Sequence, residues 1–167
     1  PYDEYAVEEA LKLREAKGGT VRVVSVGKDE AVAVLRKCLA MGADEAFLVK
    51  DDSPETYDGL RTARIIARAV ERKFAGTDLL LFGKQSVGAD NSQVPAMVAE
   101  LLGLPQATVV TKLEVEEASA TALREIEGGM EKIVLSLPAV VTAQKGLNEP
   151  RYETLRGIMA AKKKDIP

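Results

Sequence analysis

Apolar residues recur along this chain with two alternating periods. Ala6, Val7, Ala10, Leu11 and Leu13 make the inward stripe of a helix that Asp3 can cap and that runs to about Ala16. Glu8 and Lys12 then form an i,i+4 pair on its wet side, and Gly18-Gly19 stops it. Val21 to Val26 is a short, valine-rich strand ended by Gly27. Ala31, Val34, Leu35, Cys38 and Leu39 follow at i, i+3, i+4, i+7 and i+8, with Gly42 where a helix-ending glycine belongs. Ala46 to Val49 predicts the next strand, and Leu60, Ala63, Ile66, Ala67, Val70 and Phe74 a long amphipathic helix. Leu79 to Phe82 is a fully apolar strand. Val94, Met97, Val98 and Leu101 mark a further helix, closed by Gly103 and Pro105.

Strand and helix thus alternate with short connections, and the strands are continuous apolar runs. Both features predict an α/β fold, an open, mainly parallel sheet with helices on both faces and right-handed crossovers. Beyond Pro105 the rhythm changes. Val109, Thr111, Leu113 and Val115 alternate with Val110, Lys112, Glu114 and Glu116, the mark of a half-exposed strand. Glu117 to Thr121 is a turn, a second strand runs to Glu127, and Gly128-Gly129 is a hairpin signal with Glu131 to Leu137 as the return strand. Leu135 to Thr142 reads as one bent strand or as two. It leads into a long surface segment, residues 143–165, with a rigid proline, exposed-looking apolar positions and a basic end. Segments of that length in compact domains are uncommon and usually carry function. This one has the properties of a docking surface rather than of a catalytic centre. The chain therefore divides into an α/β domain, residues 1–142, and this segment.

Composition narrows the possibilities. The chain's 167 residues suffice for one domain with a core, and 46% hydrophobic with only 4% aromatic residues suits valine/leucine strands and alanine-rich helices. A net charge of −3 argues against a general nucleic-acid binder. Histidine is absent, which removes the usual proton shuttle and the commonest metal ligand, so no metal site is expected. One cysteine, Cys38, rules out an internal disulfide; on an apolar stripe it is a packed thiol. No apolar run reaches membrane-spanning length.

The candidate ligand site is Gly83-Lys84-Gln85-Ser86-Val87-Gly88-Ala89-Asp90-Asn91-Ser92-Gln93, between an apolar strand and a helix. Ligands of open α/β sheets bind there. Gly83 and Gly88 allow close backbone approach. Asp90, Asn91 or Ser92 can cap the helix that opens at Val94, whose first amides attract anions, and Lys84 adds a charge. A nucleotide phosphate fits; so does an ordinary capped loop. The spacing is neither that of a P-loop nor that of a three-glycine dinucleotide fingerprint. Ser25-Val26-Gly27-Lys28 is a second wall or a tight turn, and Tyr2 faces a flat ring or packs. Arg124, Glu125 and Glu127 read as a solvated, charge-protected edge strand rather than as acid–base machinery. Lys162-Lys163-Lys164, beside Arg151, Arg156 and Leu155, reads as a solvated helix end or an interaction surface.

Arg124-Glu125, Glu127, Gly129, Glu131, Leu137 to Val140, Asn148, Pro150-Arg151-Tyr152, Leu155, Ile158-Met159 and Ala161 to Lys164 together resemble the small (beta) subunit of electron transfer flavoproteins. The likeness extends through Gly83-Lys84-Gln85, Leu39 to Asp44 and Pro1 to Ala10, essentially the whole chain. The resemblance implies a fold like that of adenine nucleotide alpha hydrolases and a heterodimer with a large (alpha) subunit that holds most of a redox-active FAD. This chain would bind a structural AMP against Pro1, Tyr2, Asp3, Val26 and residues Gly83 to Val94, and would carry no catalytic residue. Residues 143–165 would be the loop that grips acyl-CoA-type and other flavin dehydrogenases, with Leu155 as anchor and Arg151, Tyr152, Ile158, Met159, Lys162, Lys163 and Lys164 around it. A membrane quinone oxidoreductase would take the electrons. Glu125 would pair with a large-subunit arginine when the flavin domain reorients, and Tyr2 would lie near the flavin ring.

The family's first strand and its C-terminal arm have no counterpart in the residues given, so a fragment is expected. The loop around Asp90 is poorer in Asp than in AMP-binding relatives, which leaves a second FAD, as in electron-bifurcating relatives, as an alternative to AMP. An ATP-binding enzyme or sensor of the same superfamily is the other alternative, but its Ser-Gly-Gly-x-Asp-Ser phosphate grip is not found. The compartment expected is a bacterial or archaeal cytoplasm, or the mitochondrial matrix if the source is eukaryotic.

Overall fold

Apolar runs form strands and 3.6-period stripes form helices in the computed structural model, which describes residues 1–53, 58–86 and 89–167. The chain order is α1 (Tyr2–Lys17), β1 (Arg22–Gly27), α2 (Ala31–Met41), β2 (Glu45–Lys50), α3 (Gly59–Lys73) and β3 (Leu79–Gly83), then α4 (Val94–Leu102), β4 (Gln106–Val115), β5 (Ser119–Ile126), β6 (Gly129–Ser136), β7 (Ala139–Ala143) and α5 (Leu155–Lys162). The fold is α/β, open, mostly parallel in its pairing and flanked by helices. Among the described residues the strands form two sheets, one of two strands and one of five. The chain separates into two units, Pro1–Glu9 with Asp58–Glu149, and Ala10–Tyr57 with Pro150–Pro167.

The first unit holds the five-stranded sheet, in the order β3-β7-β4-β5-β6. β3, β7 and β4 are parallel, and β4, β5 and β6 form an antiparallel meander. Only β7, in the middle of the parallel part, is buried along its whole length; β3, equally apolar in sequence, is half-buried because it has a partner on one side only. Ala63, Leu80, Val98, Ala99 and Val140 form the core cluster, with Ile66, Val70 and Met97 packed around it. Fully burying side chains such as Val98 and Val140 contributes about 1.5–3 kcal/mol each. Leu135 to Thr142 is two strands, not one, since Leu137-Pro138 separates β6 from β7. Inside β7, the buried Thr142 accepts a 2.7 Å hydrogen bond from the Val109 amide. Val109 stands at φ 60°, within the register shift of β4 against β7 and just ahead of its shift against β5.

The second unit pairs β1 and β2 in parallel, from Arg22 opposite Glu45 to Gly27 opposite Lys50. α2 packs on both strands and on α5, burying Leu35, Cys38, Leu39 and Met41. Asp44 knits the unit, accepting from the Val21 amide at 2.7 Å and pairing with Arg14 at 2.9 Å.

Two expectations need correction. Glu8 is not on a wet face: Glu8 and Glu9 are 5% and 6% exposed. Burial of Glu9 is made tolerable by Asn148, whose Nδ2 donates to its carboxylate at 2.9 Å. The segment 143–165 is not loop throughout, because Thr154 Oγ1 accepts from the Gly157 amide at 2.9 Å and starts α5. No helix of the described residues is long and apolar enough to cross a membrane.

Candidate functional site

β3 and β7 end side by side, Gly83 opposite Ala143, and the Lys84 amide donates to the Ala143 carbonyl at 3.0 Å. The amino end of α1 lies directly against Gly83. Asp3 Oδ1 accepts from the Gly83 amide at 3.0 Å, and a Cβ on Gly83 would fall 2.5 Å from Asp3 N and 2.7 Å from Tyr2 C. The close approach that Gly83 permits is therefore made by the chain itself. Asp3, expected to cap its own helix, spends its carboxylate on Gly83 instead. The Lys84 ammonium lies 5.6 Å from the centroid of the half-buried Tyr2 ring, within cation–π range. Pro1 is exposed beside them.

The loop before α4 is held by its own side chains. Gln85 Nε2 donates to Asp90 Oδ1 at 2.9 Å, Ser92 Oγ donates to Gln85 Oε1 at 2.7 Å, and the Asp90 amide donates to the Ser86 carbonyl at 3.1 Å. Asp90 and Ser92 stand at φ 46° and 51°, in the left-handed region. Val87 and Gly88 lie outside the described residues. Ser86, Ala89, Asp90, Asn91, Ser92 and Gln93 are all exposed. The expected cap from Asp90, Asn91 or Ser92 is not made. Gln93 occupies that position in a helical conformation without a side-chain hydrogen bond, because Asp90 and Ser92 are turned to Gln85. Pro95, the second residue of α4, has no N–H and the Met97 amide donates to the Gln93 carbonyl, which leaves the Val94 and Ala96 amides as the donors this helix start can turn to an anion. With Lys84 nearby in sequence and hydroxyl and amide groups exposed, this donor set fits a phosphate ester. Val94 packs against the core cluster. Val26, in the other unit, is half-buried near the end of β1, opposite Val49.

The C-terminal segment is pinned at several points. Asn148 Nδ2 donates to the Tyr5 carbonyl as well as to Glu9, each at 2.9 Å. In the second unit, Arg151 grips Glu15 with two contacts, at 2.5 and 3.2 Å, and that hydrogen-bonded pairing holds the Glu15 carboxyl below its usual range. A Cβ on Gly157 would overlap the Ala40 carbonyl oxygen. Arg36 Nη1 donates to the carbonyls of Ala161 and Lys164, at 2.6 and 2.5 Å. Lys164 Nζ donates to the carbonyls of Ala43 and Asp44, at 3.0 and 2.9 Å. Arg151 and Lys164 of the expected docking set are therefore engaged within the chain. Tyr152, Leu155 and Met159 are 94%, 75% and 59% exposed. Lys162 and Lys163 are exposed too, and Ile158 is half-buried. Glu125 is exposed on β5 opposite Met130, while Arg124 donates to Thr108 at 2.9 Å and pairs with Glu131 at 3.1 Å.

The electron transfer flavoprotein domain, as a family model, matches residues 1–167. The chain belongs to the electron transfer flavoprotein family. Electron transfer flavoprotein subunit beta of Bacillus subtilis is 45% identical to it over 168 residues, covering 99% of this chain and 64% of that protein. The subunit beta of Bradyrhizobium diazoefficiens is 46% identical over 167 residues, covering 99% of this chain and 66% of that protein. That of Syntrophomonas wolfei is 44% identical over 168 residues, covering 99% and 65%. This electron transfer flavoprotein domain thus spans about two thirds of the length of the curated relatives it matches.

Three residues that shape this electron transfer flavoprotein domain were not picked out by pattern. Glu9 drew no reading of its own, and its pairing with Asn148 gives it a role. Arg36 left a faint signal, an arginine in the middle of an otherwise apolar helix start. Gly157, inside a helical stripe where glycine costs about 1 kcal/mol relative to alanine, was the clearest sign of a close approach.

Proposed function

We propose that this chain is the small subunit of a heterodimeric electron transfer flavoprotein, an electron carrier rather than a catalyst. It positions the FAD domain of a large subunit, and the flavin supplies the redox chemistry when bound there. Electrons enter from acyl-CoA-type and other flavin dehydrogenases and leave to a membrane quinone oxidoreductase. The chain itself holds a structural AMP, with the α4 amino end and Lys84 toward the phosphate. Tyr2 lies toward the flavin and Glu125 toward a large-subunit arginine. The named relatives are bacterial, so a bacterial cytoplasm is the compartment within this reading.

The observation that carries the docking role is a firmly anchored segment whose outward residues, Tyr152, Leu155 and Met159, are apolar and exposed. Exposed apolar anchors with a basic surround are the composition of an interface rather than of a solvated face. Leu155→Ala in the assembled heterodimer should raise the KM for a dehydrogenase about tenfold, the effect of one strong anchor, while bound nucleotide and subunit assembly stay intact. Unchanged kinetics would remove the docking assignment. Mass spectrometry of the released nucleotide tests the other half. AMP supports this reading, a second FAD moves the chain to the electron-bifurcating kind, and ATP with turnover makes it an enzyme.

A further inference from the structure

α2 and α5 pack antiparallel and in step. The Ala40 carbonyl oxygen lies where a Cβ on Gly157 would overlap it. Four residues earlier on α2, Arg36 Nη1 donates at 2.6 Å to the carbonyl of Ala161, which stands four residues after Gly157 on α5. One face of each helix thus meets the other at successive turns. Ala161 is buried on that face. Residues two positions apart in a helix point about 200° apart, so Leu155 and Met159, both exposed, form a ridge on the opposite face.

α5 has eight residues, too few to persist as a helix in water by itself. Its shape is held at three levels. Thr154 caps the start, and Gly157 lets the middle settle on Ala40. At the far end, the same Arg36 nitrogen that meets Ala161 also donates to the Lys164 carbonyl at 2.5 Å. Its guanidinium thereby stands at the negative pole of the helix. We propose that Arg36 is a positioning residue for docking: by fastening the last turn of α5 to α2, it keeps Met159 in line with Leu155 as one ridge. This rests on the docking role given to Leu155 above. Without the Arg36 bonds the last turn, which carries Met159, would fray, and a partner would have to order it at each encounter, a cost subtracted from affinity.

The test uses the assembled, flavin-loaded heterodimer and a purified acyl-CoA dehydrogenase, with KM for the heterodimer and kcat read separately. Arg36→Met keeps the apolar stem and removes the donors. It should raise KM about fivefold and leave kcat unchanged. In a Met159→Ala background the same substitution should raise KM less than about twofold, because the side chain that Arg36 positions is already gone. A merely structural arginine would lower the melting temperature without moving KM, or act equally in both backgrounds; either result overturns the proposal. If Leu155→Ala raises KM and Arg36→Met does not, Arg36 has no positioning role and the docking role stands. If neither raises it, the docking role falls and the positioning role with it. Should Arg36→Met fail to assemble, Arg36→Lys, which keeps the charge but not the planar fork, decides instead: a KM raised about threefold sustains the proposal, and an unchanged KM overturns it.

Discussion

The loop between β3 and α4 and the segment from Asn148 to Lys164 both looked like functional loops, yet they are held in opposite ways. The first is stitched by bonds among its own side chains, the half-buried Gln85 and the exposed Asp90 and Ser92, and leaves the start of α4 without a side-chain cap. The second is tied to helices and strand ends remote in sequence, through Asn148, Arg151, Arg36 and Lys164, and turns its apolar residues outward. In the docking role proposed above, this fixed shape spares the segment an ordering cost at each encounter. In the nucleotide-binding role proposed for the loop, the ligand itself would complete the bonds of the uncapped helix start.

The sharpest break in this comparison would come from Gly83→Ala. Its Cβ would collide with the backbone of Tyr2 and Asp3, so unfolding by denaturant should show a loss of roughly 3 kcal/mol, at the upper end for overpacking. Gly157→Ala should cost about 2 kcal/mol by the same measure, through the Ala40 carbonyl; a neutral result would mean that α5 is not seated as described. A pH series on Asp44→Asn probes the charge that ties the second unit. Burial works to raise the Asp44 pKa, but the Val21 amide, Arg14 and Lys164 outweigh it and hold it below the ordinary value. Asp44 therefore adds stability that is complete above the unfolded carboxylate pKa, about 3.9, and is lost as pH falls through the lower folded value. The deficit of the variant should be under about 1 kcal/mol near neutrality and should vanish in acid. Smallest of all, Ser92→Ala removes a bond between exposed groups of the loop and should change stability by less than about 0.5 kcal/mol. A large loss there would erase the contrast between the two regions.

Much of the fold was legible because period and punctuation agreed. Gly42 and Gly103 end α2 and α4 where the stripes stop, at φ 127° and 64°. The hairpin turns one residue earlier than its spacing indicated, at Glu127-Gly128, with Gly129 already in β6 opposite Ile126. Legibility failed where a residue's partner lies far along the chain. Asp3 read as a cap and Glu8 as a surface charge, and Glu9 drew no reading, because nothing local announces the Gly83 amide or the Asn148 side chain. The start of β4 was placed at Val109 rather than Gln106, since a bulge with a left-handed valine breaks the alternation that marks strands. At the candidate site, composition marked the loop and the basic, leucine-bearing segment. It could not show that Arg151 and Lys164 were already committed, because a bonded and a free cation look alike in sequence.

The buried hydroxyl of Thr142 has one more consequence. Sliding β7 by a single position against β4 would set that oxygen among alkyl groups and orphan the Val109 amide, at a cost of roughly 1–3 kcal/mol for each stranded polar group. Valine there would leave the Val109 amide without this acceptor even in the native alignment. The threonine acts as a key that admits one alignment of the central strands, and with it the level at which β7 ends beside Gly83 of β3.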